Sequence, residues 1–218
     1  MSQRALIFAN GELPGLERIQ SFIQPGDFLV AADGGSRYLR ELGLLPDLLI
    51  GDLDSVDADY LKNLSGSSTI IKKYPVDKDE TDLELALSHA LDANYSTIRI
   101  LGALGGRIDH TLGNLSLLLR ADLSGCDVRL LDGQQEVMLI RDHVVITGEP
   151  GELVSLVPWG VPATGVSTTG LQYALSNETL YPHQARGISN VMVDHSAEVI
   201  LKEGLLLCVH LFNNVDEG

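Results

Sequence analysis

The sequence predicts an α/β protein, with an N-terminal layered parallel-sheet domain over residues 1–133 and a C-terminal antiparallel β-sandwich over 134–218. Three observations predict it. Through roughly the first 130 residues, short apolar runs alternate with helical patterns. Those runs are apolar throughout, as expected for strands covered on both faces. After about Gly133 the helical patterns stop, and short strands follow one another across turns.

The first-domain strands are expected at "ALIFA" (5–9), "FLVAA" (28–32), "LLI" (48–50), "TII" (69–71), "TIRIL" (97–101) and "DVRLLD" (127–132). Between them, "DETDLELALSHALD" carries Leu83, Leu87, Ala90 and Leu91 at helical spacing, and Thr81 with Glu84 forms a capping box at its start. "DHTLGNLSLLLRA" repeats the apolar spacing at Leu112, Leu115 and Leu119, with Asp109 expected as N-cap. In the second domain "EVMLI", "HVVIT", "ELVSLVP", "GVSTTG", "NVMV", "AEVIL" and "LLLCVHLF" read as antiparallel strands.

Composition narrows the function. Of 218 residues 44% are hydrophobic, enough for a real core. The net charge of -15 argues against a nucleic-acid or anionic-membrane partner, both of which need a basic face. A small phosphorylated ligand is still allowed, because a metal ion or a few local cations can neutralise it. The two cysteines, Cys126 and Cys208, make no disulfide framework, and a reducing cytoplasm is expected. "MSQRALIFANG" is too short in its apolar run for a signal peptide, and no stretch approaches the roughly 18 apolar residues of a membrane span.

In open parallel sheets, ligands bind at the carboxyl ends of the strands. Four polar clusters follow strands at that end: Asn10-Gly11, Asp33-Gly34-Gly35, Gly51-Asp52-Leu53-Asp54, and Gly102 to His110. If the strand runs on through Asp52 and Asp54, both side chains leave one face about 7 Å apart while Leu53 points into the core. Asp79 and Asp82 fall three apart near a helix start and are expected on one side of it. Carboxylates gathered so closely need a cation, and oxygen donors without a His or Cys set favour Mg²⁺ bound by Asp52, Asp54, Asp79 and Asp82. The pairs Gly34-Gly35 and Gly105-Gly106 allow backbone N–H groups to approach an anion, with Arg107, His110 and Lys78 as side-chain donors. Neither G-x-x-x-x-G-K-[ST] nor G-x-G-x-x-G occurs, and no H-E-x-x-H, G-x-S-x-G or activated cysteine is present.

The segments "ADGG" (32–35), "PDLLIGDLDS" (46–55), "DKDETDLELAL" (77–87), "LGALGGRIDHTLGNL" (101–115), "STTGLQYAL" (167–175) and "GISN" (187–190) resemble the thiamin pyrophosphokinase family, in order and over nearly the whole chain. The resemblance implies an α/β domain, a β-sandwich, and a homodimer whose active site lies between one subunit's first domain and the other's second. It implies transfer of the terminal diphosphate of ATP to the hydroxyl of thiamin, giving thiamin diphosphate and AMP. Asp52, Asp54 and Asp82 match the family's metal and catalytic acids, with Asp79 nearby. One of these carboxylates is expected to orient the attacking hydroxyl or take its proton. Asp33, Gly34, Arg107, Asp109 and His110 match ATP-binding positions, and Lys78 stands beside them. Ser167, Leu171, Tyr173, Ser189 and Asn190 match the thiamin pocket, Tyr173 standing where the family often carries a stacking aromatic, sometimes Trp. The competing readings are a pyrophosphokinase of another small alcohol such as a pterin, a Mg²⁺-dependent phosphohydrolase, and a non-catalytic sensor.

Overall fold

The structure, a computed structural model, describes residues 4–213. The chain divides between Gly133 and Gln134 into two compact units. In the first, six strands alternate with five helices: β1 Arg4–Phe8, α1 Leu16–Phe22, β2 Phe28–Ala32, α2 Ser36–Glu41, β3 Leu48–Gly51, α3 Ala58–Ser65, β4 Ile70–Lys73, α4 Asp82–Asp92, β5 Thr97–Leu101, α5 Ile108–Leu117 and β6 Asp127–Leu131. All six pair in parallel, in the order β6-β5-β1-β2-β3-β4. The chain steps away from β1 through β2, β3 and β4, then returns to the other side of β1 as β5. That reversal opens a crevice beyond the carboxyl ends of β1 and β5, the place where open sheets bind ligands.

The strands are apolar because both faces are covered. Leu6, Phe8, Leu29, Ala31 and Leu49 join one cluster with Ile19, Leu39 and Leu64 from α1, α2 and α3. The intervening Ile7, Val30, Leu48 and Ile50 are equally buried and face the other way. There α4 lies against β1, β2 and β3 and buries Leu83, Ala86, Leu87 and Ala90. Two expectations need correction. Strand β4 is an edge with a half-exposed Ile70, so its apolar run does not signal cover on both faces. Helix α5 buries none of its side chains, and Leu112 and Leu119 are 50% and 39% exposed. Periodicity reports an apolar stripe, not what covers it.

The second unit is all β: β7 Gln135–Ile140, β8 His143–Thr147, β9 Leu153–Pro158, β10 Ala163–Thr169, β11 Glu178–Leu180, β12 Asn190–Val191, β13 Ser196–Ile200 and β14 Leu206–Leu211. Its antiparallel strands run β12-β9-β14-β7 in one sheet and β11-β10-β13-β8 in the other. Met138, Val154, Leu156 and Leu206 from the first sheet share a core with Ile146, Val166, Leu180 and Val199 from the second, which makes a sandwich. The three-residue β11 is the strand the sequence pattern did not signal. No described helix is long and apolar enough to cross a membrane.

Candidate active site

Three carboxylates meet at one rim of the first unit. Asp33 follows β2, Asp52 follows β3 and Asp82 opens α4, and each offers an oxygen within 4.8 Å of the others. Strand register explains the first pair. Ala32 pairs with Ile50, so the residues just beyond, Asp33 and Gly51, stand side by side. A Cβ on Gly51 (φ +148) would lie 2.9 Å from the Asp33 Cβ and 3.1 Å from the Asp82 carboxyl, so only glycine fits here. Asp33 itself takes φ 46, a left-handed conformation costly for a non-glycine residue, and is 5% exposed. Its Oδ1 is buried without a hydrogen-bond partner. Asp82 is fixed by the capping box, in which Thr81 Oγ1 accepts from Glu84 N and Thr81 N donates to Glu84 Oε2.

Two unit charges 4.8 Å apart repel by about 3 kcal/mol at an effective dielectric near 20. Lys78 offsets part of this, with its Nζ 3.0 Å from Asp82 Oδ1 and 3.8 Å from Asp52 Oδ2. Burial raises the Asp82 pKa above the usual carboxylate range; Lys78 pulls the other way, and the charges of Asp33 and Asp52 add to the rise. Burial works against charge on Lys78, yet its bond to Asp82 and the neighbouring acids outweigh that and raise its pKa.

Asp54 and Asp79 do not join the set. The chain leaves β3 at Gly51 and turns at Leu53 (φ 67), so no strand runs through both acids. Asp54 N donates to Asp52 Oδ1 at 3.1 Å, while the exposed Asp54 carboxylate accepts from Ser55 Oγ at 3.0 Å. Leu53 does enter the core. Because α4 begins at Asp82, the exposed Asp79 lies in the preceding loop, and the one-face argument for a helix does not reach it.

A cleft of about 470 Å³ opens beside the acids, lined by Asp33, Asp82, Arg107 and His110 among the expected residues. Its floor is a backbone pinch between the first turns after β1 and β5. Gly11 N donates to Gly102 O at 2.8 Å, and a Cβ on Gly11 would fall 2.4 Å from that oxygen. Gly34 and Gly35 serve a similar close approach. A Cβ would run into the Asn10 side chain at the first and the Phe8 carbonyl at the second, so neither position accommodates a side chain. Gly105 and Gly106, exposed with φ of +79 and +66, have only the Glu12 side chain against them, 3.5 Å or more from where a Cβ would stand.

Asp109 is not the N-cap of α5, which is Arg107; it lies in the first turn. There it accepts from Arg107 Nε at 3.1 Å and from His110 N at 3.0 Å, and the Arg107 bond chiefly lowers its pKa to about 2. It therefore aims the guanidinium. Sequence reasoning missed Glu12, Arg37 and Asn114, which also line the cleft. Arg37 donates to Asn10 Oδ1 and to the Asn10 and Gly11 carbonyls, and Asn114 Nδ2 holds Ala103 O at 2.8 Å. Their only sequence signal was a place beside the glycine turns, Arg37 and Asn114 in helices and Glu12 in the loop after β1.

In the second unit the expected residues surround the segment 171–177. Leu175 N bonds Thr168 Oγ1 and Asn177 N bonds Ser167 Oγ, which straps the segment to β10. Gln172 N bonds Val191 O, and the buried Leu171 bridges Met192. Asn190, 7% exposed, accepts from Tyr173 N at 3.0 Å and donates to Tyr173 O at 2.8 Å, and Tyr173 is 66% exposed. The Asn190 Oδ1 also accepts from Val191 N at 3.0 Å, so the amide ties Tyr173 to β12. Ser189 takes φ 57 and donates its N–H to Ser155 Oγ.

Comparison with known proteins gives this arrangement a family. The model of the thiamin pyrophosphokinase catalytic domain matches residues 19–130, and that of the thiamin pyrophosphokinase vitamin B1 binding domain matches 142–206. A thiamine pyrophosphokinase of Bacillus subtilis is 28% identical over 182 residues, covering 83% of this chain and 85% of its own. Thiamine pyrophosphokinase 2 of Arabidopsis thaliana is 31% identical over 199 residues, covering 79% and 73%. The crystal structure of a thiamine pyrophosphokinase from Bacillus subtilis superposes with a TM-score of 0.86 at 24% identity, over 97% of this chain and all of the other. With both domains matched in order along one polypeptide that carries the acid cluster and the cleft, the chain belongs to the thiamin pyrophosphokinase family.

Proposed function

We propose that the protein transfers the terminal diphosphate of ATP to the hydroxyl of thiamin, giving thiamin diphosphate and AMP. The observation that carries this is the meeting of Asp33, Asp52 and Asp82 at the rim of a cleft on the switch point of the sheet. The donor set is all oxygen and includes the orphaned Asp33 Oδ1, which fits Mg²⁺. When bound there, Mg²⁺ supplies charge neutralisation for a polyphosphate. Arg107, held by Asp109, and His110 reach the same cleft as donors, and the exposed turn at Gly105-Gly106 offers backbone N–H groups. Phosphoryl-type transfer asks mainly for such positioning. Asp52, just after β3, and Asp82, at the start of α4, are the groups that would orient the acceptor hydroxyl or take its proton.

Tyr173 presents an exposed π face for an aromatic cation, with Asn190 fixing its backbone and Ser167, Leu171 and Ser189 framing the segment. Two copies of the chain form the working enzyme in this reading, and the uncovered apolar side chains of α5, which begins beside the cleft, support it. A chain with two cysteines and no disulfide framework suits the cytoplasm.

Incubation with ATP, Mg²⁺ and thiamin is expected to release AMP and thiamin diphosphate, resolved by chromatography. ADP with thiamin monophosphate would refute the diphosphate step, and ATP hydrolysis indifferent to thiamin would mark a phosphohydrolase. Asp52→Asn is expected to lower kcat by at least about 100-fold.

A further inference from the structure

The Lys78 ammonium stands where the charge of a cation is needed. It reaches Asp82 Oδ1 at 3.0 Å and Asp52 Oδ2 at 3.8 Å, the second beyond hydrogen-bond range, and it donates to Pro75 O at 3.3 Å, so it faces the two acids mainly as a charge and leaves the buried Asp82 Oδ1, like Asp33 Oδ1, short of a hydrogen bond. The side chain is only 11% exposed, unlike an ordinary surface lysine. It comes from the loop between β4 and α4, four residues before Asp82 and outside the helix, so its stem is not held by helical hydrogen bonds. Asp33 adds a third negative charge within 4.8 Å of the other two, and its Oδ1 has no donor at all.

We propose that Lys78 is a built-in counter-ion that competes with the divalent metal for the acid set. In the metal-free protein the ammonium holds Asp52 and Asp82 together. A divalent ion taking the same oxygens is repelled by the ammonium, so its entry releases Lys78 from the cluster. The lysine is a compact charge on a flexible stem, suited to leave the carboxylates for a phosphate oxygen at the mouth of the cleft. This rests on the metal reading given above and adds an exchange of cations to it. A consequence is that the empty site is stable yet binds metal weakly until a polyphosphate arrives to accept the lysine.

The test uses the full chain as wild type, Lys78→Met and Lys78→Arg. Two readouts are needed: the thermal midpoint in EDTA, and Mn²⁺ affinity from the loss of the free-ion magnetic resonance signal. Lys78→Met is expected to melt about 5 °C lower in EDTA and to bind Mn²⁺ about tenfold more tightly or better. Lys78→Arg, which keeps the charge, is expected to stay close to wild type in both. If Lys78→Met does not fold in EDTA, the double variant Lys78→Met with Asp33→Asn is expected to recover, because it removes one of the repelling charges. Failure of that recovery overturns the counter-ion role. Equal or weaker Mn²⁺ binding by Lys78→Met overturns the competition while leaving the metal site standing. Absence of Mn²⁺ binding to wild type and variant alike overturns the metal reading itself.

Discussion

Asp33 illustrates at the residue scale how the site departs from what local structure favours. A left-handed φ of 46 on a buried aspartate, set against two other carboxylates, is unfavourable on both counts. Asp33→Gly is therefore expected to stabilise the fold by about 1 kcal/mol while abolishing turnover, checked by chemical denaturation beside an initial-rate assay. Asn190→Ala removes the hold on Tyr173 and is expected to raise the thiamin KM about tenfold with kcat little changed, equivalent to one or two hydrogen bonds. Asp52 and Asp82 were legible in the sequence because each abuts a clear strand end or helix start. Asp33 was legible as part of "ADGG" but not as a partner of those acids, since that partnership depends on the register of β2 against β3. The spacing argument for Asp54 fails for a related reason: one left-handed residue, Leu53, ends the alternation on which it relied.

Elements differ in how much of themselves the sequence displays. Helix α4 was readable throughout, because its capping box and its apolar stripe both report local facts. Helix α5 shows the same kind of stripe and buries nothing, which periodicity alone does not distinguish. In the sandwich a polar link was invisible to pattern reading. His210 on β14, fully buried, has Nδ1 3.3 Å from Glu136 Oε1 on β7 and Nε2 2.8 Å from Glu152 Oε2 before β9, with the Phe212 ring edge-on at 5.1 Å. Burial alone would lower the His210 pKa, but Glu136 and Glu152 outweigh it and raise it. Burial would raise the Glu152 pKa, but the N–H groups of Glu149 and Asn213, with His210, lower it. The histidine contribution is complete below its unfolded pKa and fades as pH rises through the raised folded value. The Glu152 contribution is present above the ordinary carboxylate range and fades as pH falls through the lowered one. Melting curves between pH 5 and 9, about the span over which a histidine switches, are expected to show stability falling on the alkaline side. His210→Gln should start lower and lose that slope.

For the whole molecule, the change from alternating strands and helices to strands alone signalled two architectures, and the structure has both, each with its own core. What the sequence could not display is assembly, because an apolar side chain looks the same whether it meets its own chain or another. Sedimentation equilibrium is expected to give the mass of two chains, and Leu112→Lys on α5 to shift it toward one with loss of turnover. A single-chain mass for the unaltered protein would remove the dimer from the proposal.

Helix α5, alone among the five described helices in burying no side chain, spans ten residues. A peptide of that length is barely helical by itself in water. Within its own chain it is tied to the loop after β5 through Asn114 and Thr111, and its first turn carries His110 just after Arg107. In the dimer and ATP site proposed above, coiling of this segment, contact with a neighbour and capture of a nucleotide would be linked equilibria, each drawing on the same free energy. Dilution alone would then loosen the grip on ATP, and saturating ATP would hold the partners together.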